Sequence, residues 1–217
     1  MSKTISKLNK LNNPASFIQV NTIKGFKYVD RAGEIVNSYH RKNLPPQFSM
    51  ALNGLDIIKP VDKIEQLKIT PETFWMKSEE VDSLDMFSSI FKKELEKVLK
   101  ILEVEEVSRI GWRNYFIYEF ADESAQKEYL KKFTVIDATN PIMVRLEIKT
   151  GKDFSANLIL RPVIKNNTEK TPGVLFDIDL FKNGDTKVEE VYSILRVFQK
   201  YLGDENGFLD LINKTFK

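Results

Sequence analysis

Between Val104 and Phe120, Ile110, Trp112, Phe116 and Tyr118 alternate with Arg109, Gly111, Arg113 and Tyr115. Successive side chains of a strand point to opposite faces, so a strand here buries one row and shows Arg109 and Arg113 together on the other. A glycine between two arginines in mid-strand marks a bulge, or a place where something approaches the backbone closely. The same rhythm of two returns downstream. It runs through Ile142, Val144, Leu146 and Ile148, then Phe154, Ala156, Leu158 and Leu160, and finally Val174, Phe176, Ile178 and Leu180. Four strands that are apolar on one side only need a layer to cover that side.

Two segments supply the cover. Leu84, Phe87, Phe91, Leu95, Val98 and Leu102 step by three or four, with Asp82 or Ser83 placed to cap the start. Val188, Val191, Leu195, Phe198 and Leu202 repeat that spacing, Thr186 and Glu189 have the spacing of a capping box, and Gly203 stops the run. Shorter helices are predicted over 122–133 and 206–216. The order predicts an α+β fold, an antiparallel sheet with two long amphipathic helices on one face.

Ahead of these elements, residues 1–16 read as an arm with helical spacing at Ile5, Leu8 and Leu11, and residues 17–80 as a β-rich N-terminal lobe. Phe26 and Tyr28 alternate up to Asp30-Arg31-Ala32-Gly33, after which Ile35 and Val36 resume, predicting a hairpin closed by a left-handed Gly33. Leu44-Pro45-Pro46 breaks the chain, and strands are expected over 55–58 and 66–76, the second interrupted or edged at Pro71. Residues 81–217 form the α+β lobe, packed with 17–80 into one compact structural unit.

Composition excludes more than it names. The chain has 217 residues, enough for a substantial core, no cysteine and a single histidine. Thiolate nucleophiles, disulfides, iron–sulfur ligation and histidine-cluster metal sites all fall away, and no cofactor is implied. His40 is expected in solvent. The apolar runs are too short to span a bilayer and no signal-like apolar segment follows the early lysines, so a cytoplasmic protein without a membrane partner is expected. The sequons at 166–168 and 213–215 are taken as chance. Residues 1–50 hold eight Lys and Arg against Asp30 and Glu34, so that stretch carries +6 and the rest −4 of a net +2. Such asymmetry suits either an anionic partner or a basic lobe docking on a more acidic body.

Strand parity places Arg109, Arg113, Arg145, Glu147, Ser155, Asn157, Arg161, Asp177 and Asp179 on the face the helices leave free. One reading is a cradle for an anionic ligand, since arginine's planar fork grips carboxylate or phosphate. The other is cross-strand pairing on a solvated face, worth about 0.2 to 1 kcal/mol per pair. We expect the N-terminal lobe to dock on this face and bury the arginines in paired networks. Asp177 and Asp179, with Glu147 and Asp153 nearby by strand order, have the oxygen chemistry of a hard-cation site. Lys24 to Val29 half matches the aromatic strand motif of RNA-recognition domains, but only about two dozen residues precede a motif that belongs on a third strand, so a core hairpin is the better reading. There is no phosphate-cradling glycine loop and no nucleophile elbow.

Leu67-Lys68-Ile69-Thr70-Pro71, the long helix, Val107 to Tyr115 and Leu175-Phe176-Asp177-Ile178-Asp179-Leu180-Phe181 together resemble an uncharacterised, sporadically distributed prokaryotic family over about residues 66–200. Its members carry an arginine-isoleucine-glycine-leucine-arginine-tyrosine strand and a leucine-aspartate-isoleucine-aspartate strand; here Trp112 stands where leucine is usual and Asn114 precedes the tyrosine. The resemblance implies this fold and a prokaryotic origin and brings no catalytic residue. The expected function is a non-enzymatic protein-interaction or binding module, paired with another protein or a sister subunit through an exposed strand edge. The alternative is a nucleic-acid or nucleotide binder using the basic N-terminal lobe and the Arg109/Arg113 face. A metal-dependent phosphoryl-transfer enzyme comes third. Arg109, Arg113, Arg145, Arg161, Asp177 and Asp179 are the ligand or partner candidates.

Overall fold

The computed structural model describes residues 11–22, 27–40, 46–79, 81, 83–133, 144–165, 171–203 and 207–216. Nine strands and five α-helices are defined there: β1 Asn12–Thr22, α1 Lys27–Asn37, β2 Gln47–Ala51, β3 Gly54–Ile58, β4 Gln66–Ile69, β5 Thr73–Glu79, α2 Leu84–Ile101, β6 Glu106–Glu119, α3 Glu123–Lys131, β7 Val144–Lys152, β8 Phe154–Lys165, β9 Thr171–Lys187, α4 Val191–Gly203 and α5 Phe208–Phe216. The fold is α+β with antiparallel pairing. The chain divides into two compact units, the first comprising 15–112 and 181–197, the second 1–14, 113–180 and 198–217. Strands β6 and β9 contribute residues to both.

In the first unit the strand order is β2-β3-β4-β5-β1-β6-β9. Register sets its faces, because residues directly opposite in an antiparallel pair share a face. Leu55 and Ile57 stand opposite Ile69 and Leu67, these opposite Phe74 and Met76, and these opposite Val20 and Ile18. All eight are buried. Helix α2 covers this row: Phe91 lies 5.6 Å from the Phe74 ring and Phe87 6.4 Å from the Trp112 ring. A phenylalanine buried as fully as Phe91 contributes about 1.5 to 3 kcal/mol. The cap of α2 is Ser83, whose hydroxyl accepts from the Met86 amide. Between β4 and β5 the Thr70 hydroxyl accepts from the Glu72 and Thr73 amides, so the extended stretch expected over 66–76 is split into two strands at Pro71.

Three local expectations are corrected. The hairpin placed around Gly33 is helix α1: Tyr28, Ala32, Ile35 and Val36 fall on one buried helical stripe, which packs on β3 and α2, and Tyr39 is buried in the turn after it. Two apolar pairs separated by a glycine are too short a sample to tell a period of 2 from one of 3.6, and a Cβ on Gly33 would meet nothing within 4 Å. Second, the arm expected over 1–16 gives way at Asn12, where β1 begins; Ile5 and Leu8 lie outside the described residues. Third, the capping box does not form. β9 runs on to Lys187, the Thr186 hydroxyl donates to the Gly184 carbonyl, and a short 3-10 turn, Val188–Glu190, leads into α4 without a side-chain cap. Of the half motif at 24–29, residues 24–26 lie outside the described residues and Lys27 begins α1.

In the second unit the order is β6-β9-β8-β7. β7 and β8 pair with Val144 opposite Leu160 and Ile148 opposite Ala156, and the register shifts between Lys149 and Lys152. Phe154 packs on Phe198 and Tyr201 of α4, while Phe208 of α5 packs on Phe116 and Phe176. Helix α3, capped by the Asp122 carboxylate on the Ala125 amide, is fastened by its buried Gln126, which donates to the Val163 and Gly173 carbonyls. Gly173 packs closely there, since a Cβ would sit 3.1 Å from the Tyr118 carbonyl oxygen and 3.2 Å from Ile117, tight enough that a neighbour would have to give by a few tenths of an ångström.

Candidate functional site

The arginine face resolves into separate pieces. In the second unit Arg113 holds Asp177 with both prongs, Nε donating to Oδ1 at 2.7 Å and Nη2 to Oδ2 at 2.6 Å. The Asp177 side chain is 6% exposed and that of Arg113 46%. The guanidinium also lies over the Tyr115 ring, 5.4 Å from its centroid. Hydrogen bonding to Asp177 holds the Arg113 guanidinium above its ordinary range, against a smaller opposing effect of its own burial. Burial pushes the Tyr115 hydroxyl up, helped by Asp177 and Asp179 and opposed by Arg113 and Arg161. Four of the six candidates, Arg113, Arg161, Asp177 and Asp179, therefore act on one tyrosine. Their influences are of both signs, two raising and two lowering, and both Asp177 oxygens are engaged by Arg113. The expectation of buried arginines fails at Arg113, which keeps nearly half its side chain in water.

Arg109 belongs to the first unit and has a different role. Its guanidinium folds back along β6 into the space where a Gly111 Cβ would stand, Nη1 lying 2.9 Å from that position. It rests 5.1 Å from the centroid of the Phe181 ring of β9. The close approach that a glycine between two arginines signals is thus the approach of Arg109 itself. Arg145 stands opposite Ile159 in the β7–β8 ladder, and its side chain, like that of Glu147, lies outside the described residues. Among the described residues no group of three His, Asp or Glu is placed to hold a metal ion. His40 is exposed, just past α1.

Two surfaces escaped the reading of the sequence. The first is β2, which stands last in the strand order and whose five residues are all exposed. Phe48 is 52% exposed, Met50 43% and Leu52, in the two-residue turn to β3, 84%. Phe48 and Met50 stand opposite Ile57 and Leu55, so they continue the apolar face past the edge of its helical cover. The strand, Gln-Phe-Ser-Met-Ala, carries no charge. Its signal was the alternation of Phe48 and Met50 followed by Asn53-Gly54, a hairpin dipeptide.

The second surface is the opposite face of the first unit. Register puts Ser49, Asp56, Lys68, Trp75 and Gln19 in one row across β2, β3, β4, β5 and β1, and Gln47, Ile58, Gln66, Lys77 and Phe17 in the next. From β3 to β1 these residues are half-buried. Phe17 and Trp75 lie 6.4 Å apart, the Lys77 ammonium is 5.9 Å from the Phe17 ring, and Lys68 pairs with Asp56 at 3.1 Å. Lys77 also pairs with Glu79. No protein-family model matches the chain, and no curated protein matches it. Among the described residues no helix is long and apolar enough to cross a membrane.

Proposed function

We propose that the protein is a protein-interaction module whose partner is a second copy of itself, joined edge to edge through β2. One observation carries this reading: an edge strand whose five residues are exposed, apolar on one face and free of charge. An edge presents a row of main-chain donors and acceptors, and proteins that avoid pairing blunt such edges with lysine, proline or a bulge. Nothing within Gln47–Ala51 does so. An antiparallel pair centred on Ser49 sets Phe48 against the partner copy's Met50 and Met50 against its Phe48, a sulfur–aromatic contact made twice by a two-fold axis. Like charges, the usual obstacle to self-pairing, are absent. Five residues on each side bury less than the about 1,200 Å² of a standard interface, so the association belongs in the micromolar range.

Sedimentation velocity on a concentration series tests it. The wild type shifts from monomer to dimer with concentration. Phe48→Lys with Met50→Lys, and separately Phe48→Glu with Met50→Glu, each remain monomeric, and mixing the two charge-swapped proteins restores a heterodimer. A monomeric wild type at about 200 μM, well above this interface class, overturns the reading. So does a dimer that both charged variants retain.

A further inference from the structure

The open face of the first unit has a composition of its own. Across the adjacent strands β4, β5, β1, β6 and β9 it presents Lys68, then Trp75 and Lys77, then Phe17, then Arg109, then Phe181, cations interleaved with rings. Gln19, Asn21 and Gln66 fill the spaces between. Protein interfaces are depleted in lysine, whereas lysines set among aromatic rings mark sites for single-stranded nucleic acid, where bases stack on rings and phosphates meet cations. The rings lie on rigid strands, and Arg109 is already drawn across Gly111 onto Phe181.

We propose that this face binds single-stranded nucleic acid, with bases stacking on Trp75 and Phe17 and phosphates meeting Lys68, Lys77 and Arg109. Asp56 and Glu79 hold the two lysines in place, and a phosphate has to compete with them. Binding is therefore micromolar and salt-sensitive. Three neutralised phosphates on a single strand give a slope of log affinity against log salt of about −2. The selectivity is for single strands, because paired bases offer no free ring face to Trp75.

The test is fluorescence anisotropy with a fluorescein-labelled oligothymidylate of about twelve nucleotides, at salt from about 20 to about 150 mM, a range over which screening changes strongly. Tryptophan fluorescence of the unlabelled complex is read alongside it: Trp112 is fully buried, so quenching reports Trp75. Expected are micromolar binding at low salt, the stated slope, quenching on binding, and a loss of about tenfold with Trp75→Ala. Lys68→Gln with Lys77→Gln, a surface variant that leaves the core intact, lowers the slope to about −1. The proposal is overturned by no binding up to about 100 μM at low salt, far above the range such sites reach. It is equally overturned by equal affinity for the duplex, by binding without quenching, or by affinity that folded Trp75→Ala and Lys68→Gln/Lys77→Gln proteins retain.

Discussion

Arg113 and Asp177 are unequal partners, and the inequality decides what each contributes. Asp177 is buried and takes both hydrogen bonds from a guanidinium that still reaches water. Removing the arginine leaves a buried carboxylate without its partner, while removing the aspartate leaves a cation that turns to solvent. Arg113→Gln is therefore expected to cost about 2 to 4 kcal/mol, below the full value for a buried pair because one member is half solvated, and Asp177→Asn about 1 kcal/mol. Urea unfolding of both variants checks the order, and a larger loss for Asp177→Asn contradicts it. A second residue acts through pH. The Tyr39 hydroxyl is pushed far above its ordinary value by burial and then by the Glu94 carboxylate beside it, while the Lys97 ammonium sits 3.6 Å from its ring centroid. The folded state thus keeps the neutral phenol where the unfolded chain, with a phenol near about 10, ionises. Stability on this account is fully present below pH about 10 and falls as pH rises beyond it. Tyr39→Phe should flatten that alkaline decline, read as the urea midpoint between pH about 8 and about 11.5, and equal declines in the two proteins would refute it.

At the level of elements, the end of α2 carries a correctable strain. The Val104 amide donates to the Leu99 carbonyl and the Glu103 amide to that of Lys100, the paired bonds of a Schellman ending, with Glu103 at φ +54° where glycine is the usual occupant. Glu103 also pairs with Arg31 at 3.4 Å, an exposed ion pair of the kind worth little. Glu103→Gly removes the Cβ penalty at the expense of unfolded-chain freedom, for a net gain of about 0.5 to 1 kcal/mol. Thermal melting reads it as a higher Tm, and a fall would place the ion pair above the backbone. The long elements were legible where their period repeats often enough to be counted. α2 and β6 each repeat their period many times, and the parity of β6 and β9 was enough to bring Arg113 to the side of Asp177. α1 failed because its stripe, Tyr28 to Val36, was sampled at too few positions around Gly33. β2 was hidden behind Pro45-Pro46. The placing of Phe17 beside Trp75 depends on the β1–β5 register, which joins segments more than fifty residues apart, and no local spacing encodes it.

For the whole molecule, the two surfaces have a joint consequence. In an antiparallel pair, opposite residues share a face, so a β2 pair centred on Ser49 puts Ser49 of both copies on one side of the joined sheet. That side is the one carrying Asp56, Lys68 and Trp75. A dimer of this kind presents both aromatic faces in the same direction, with the two Trp75 strands seven strand spacings, or about 34 Å, apart. A strand long enough to reach across engages both copies, and its second contact benefits from a high effective concentration. We predict that an oligothymidylate of about thirty nucleotides binds the wild type, at concentrations where it is dimeric, at least about tenfold more tightly than one of about eight. In the Phe48→Glu, Met50→Glu protein, whose changes lie on the helix-covered side of the sheet, that ratio should collapse toward the value set by the number of overlapping sites on the longer strand. Comparing the ratio in the two proteins, and not the affinities, cancels the added negative charge. An unchanged ratio would mean that the two surfaces work separately, and a low ratio already present in the wild type would mean that the paired sheets do not hold their open faces within reach of one strand.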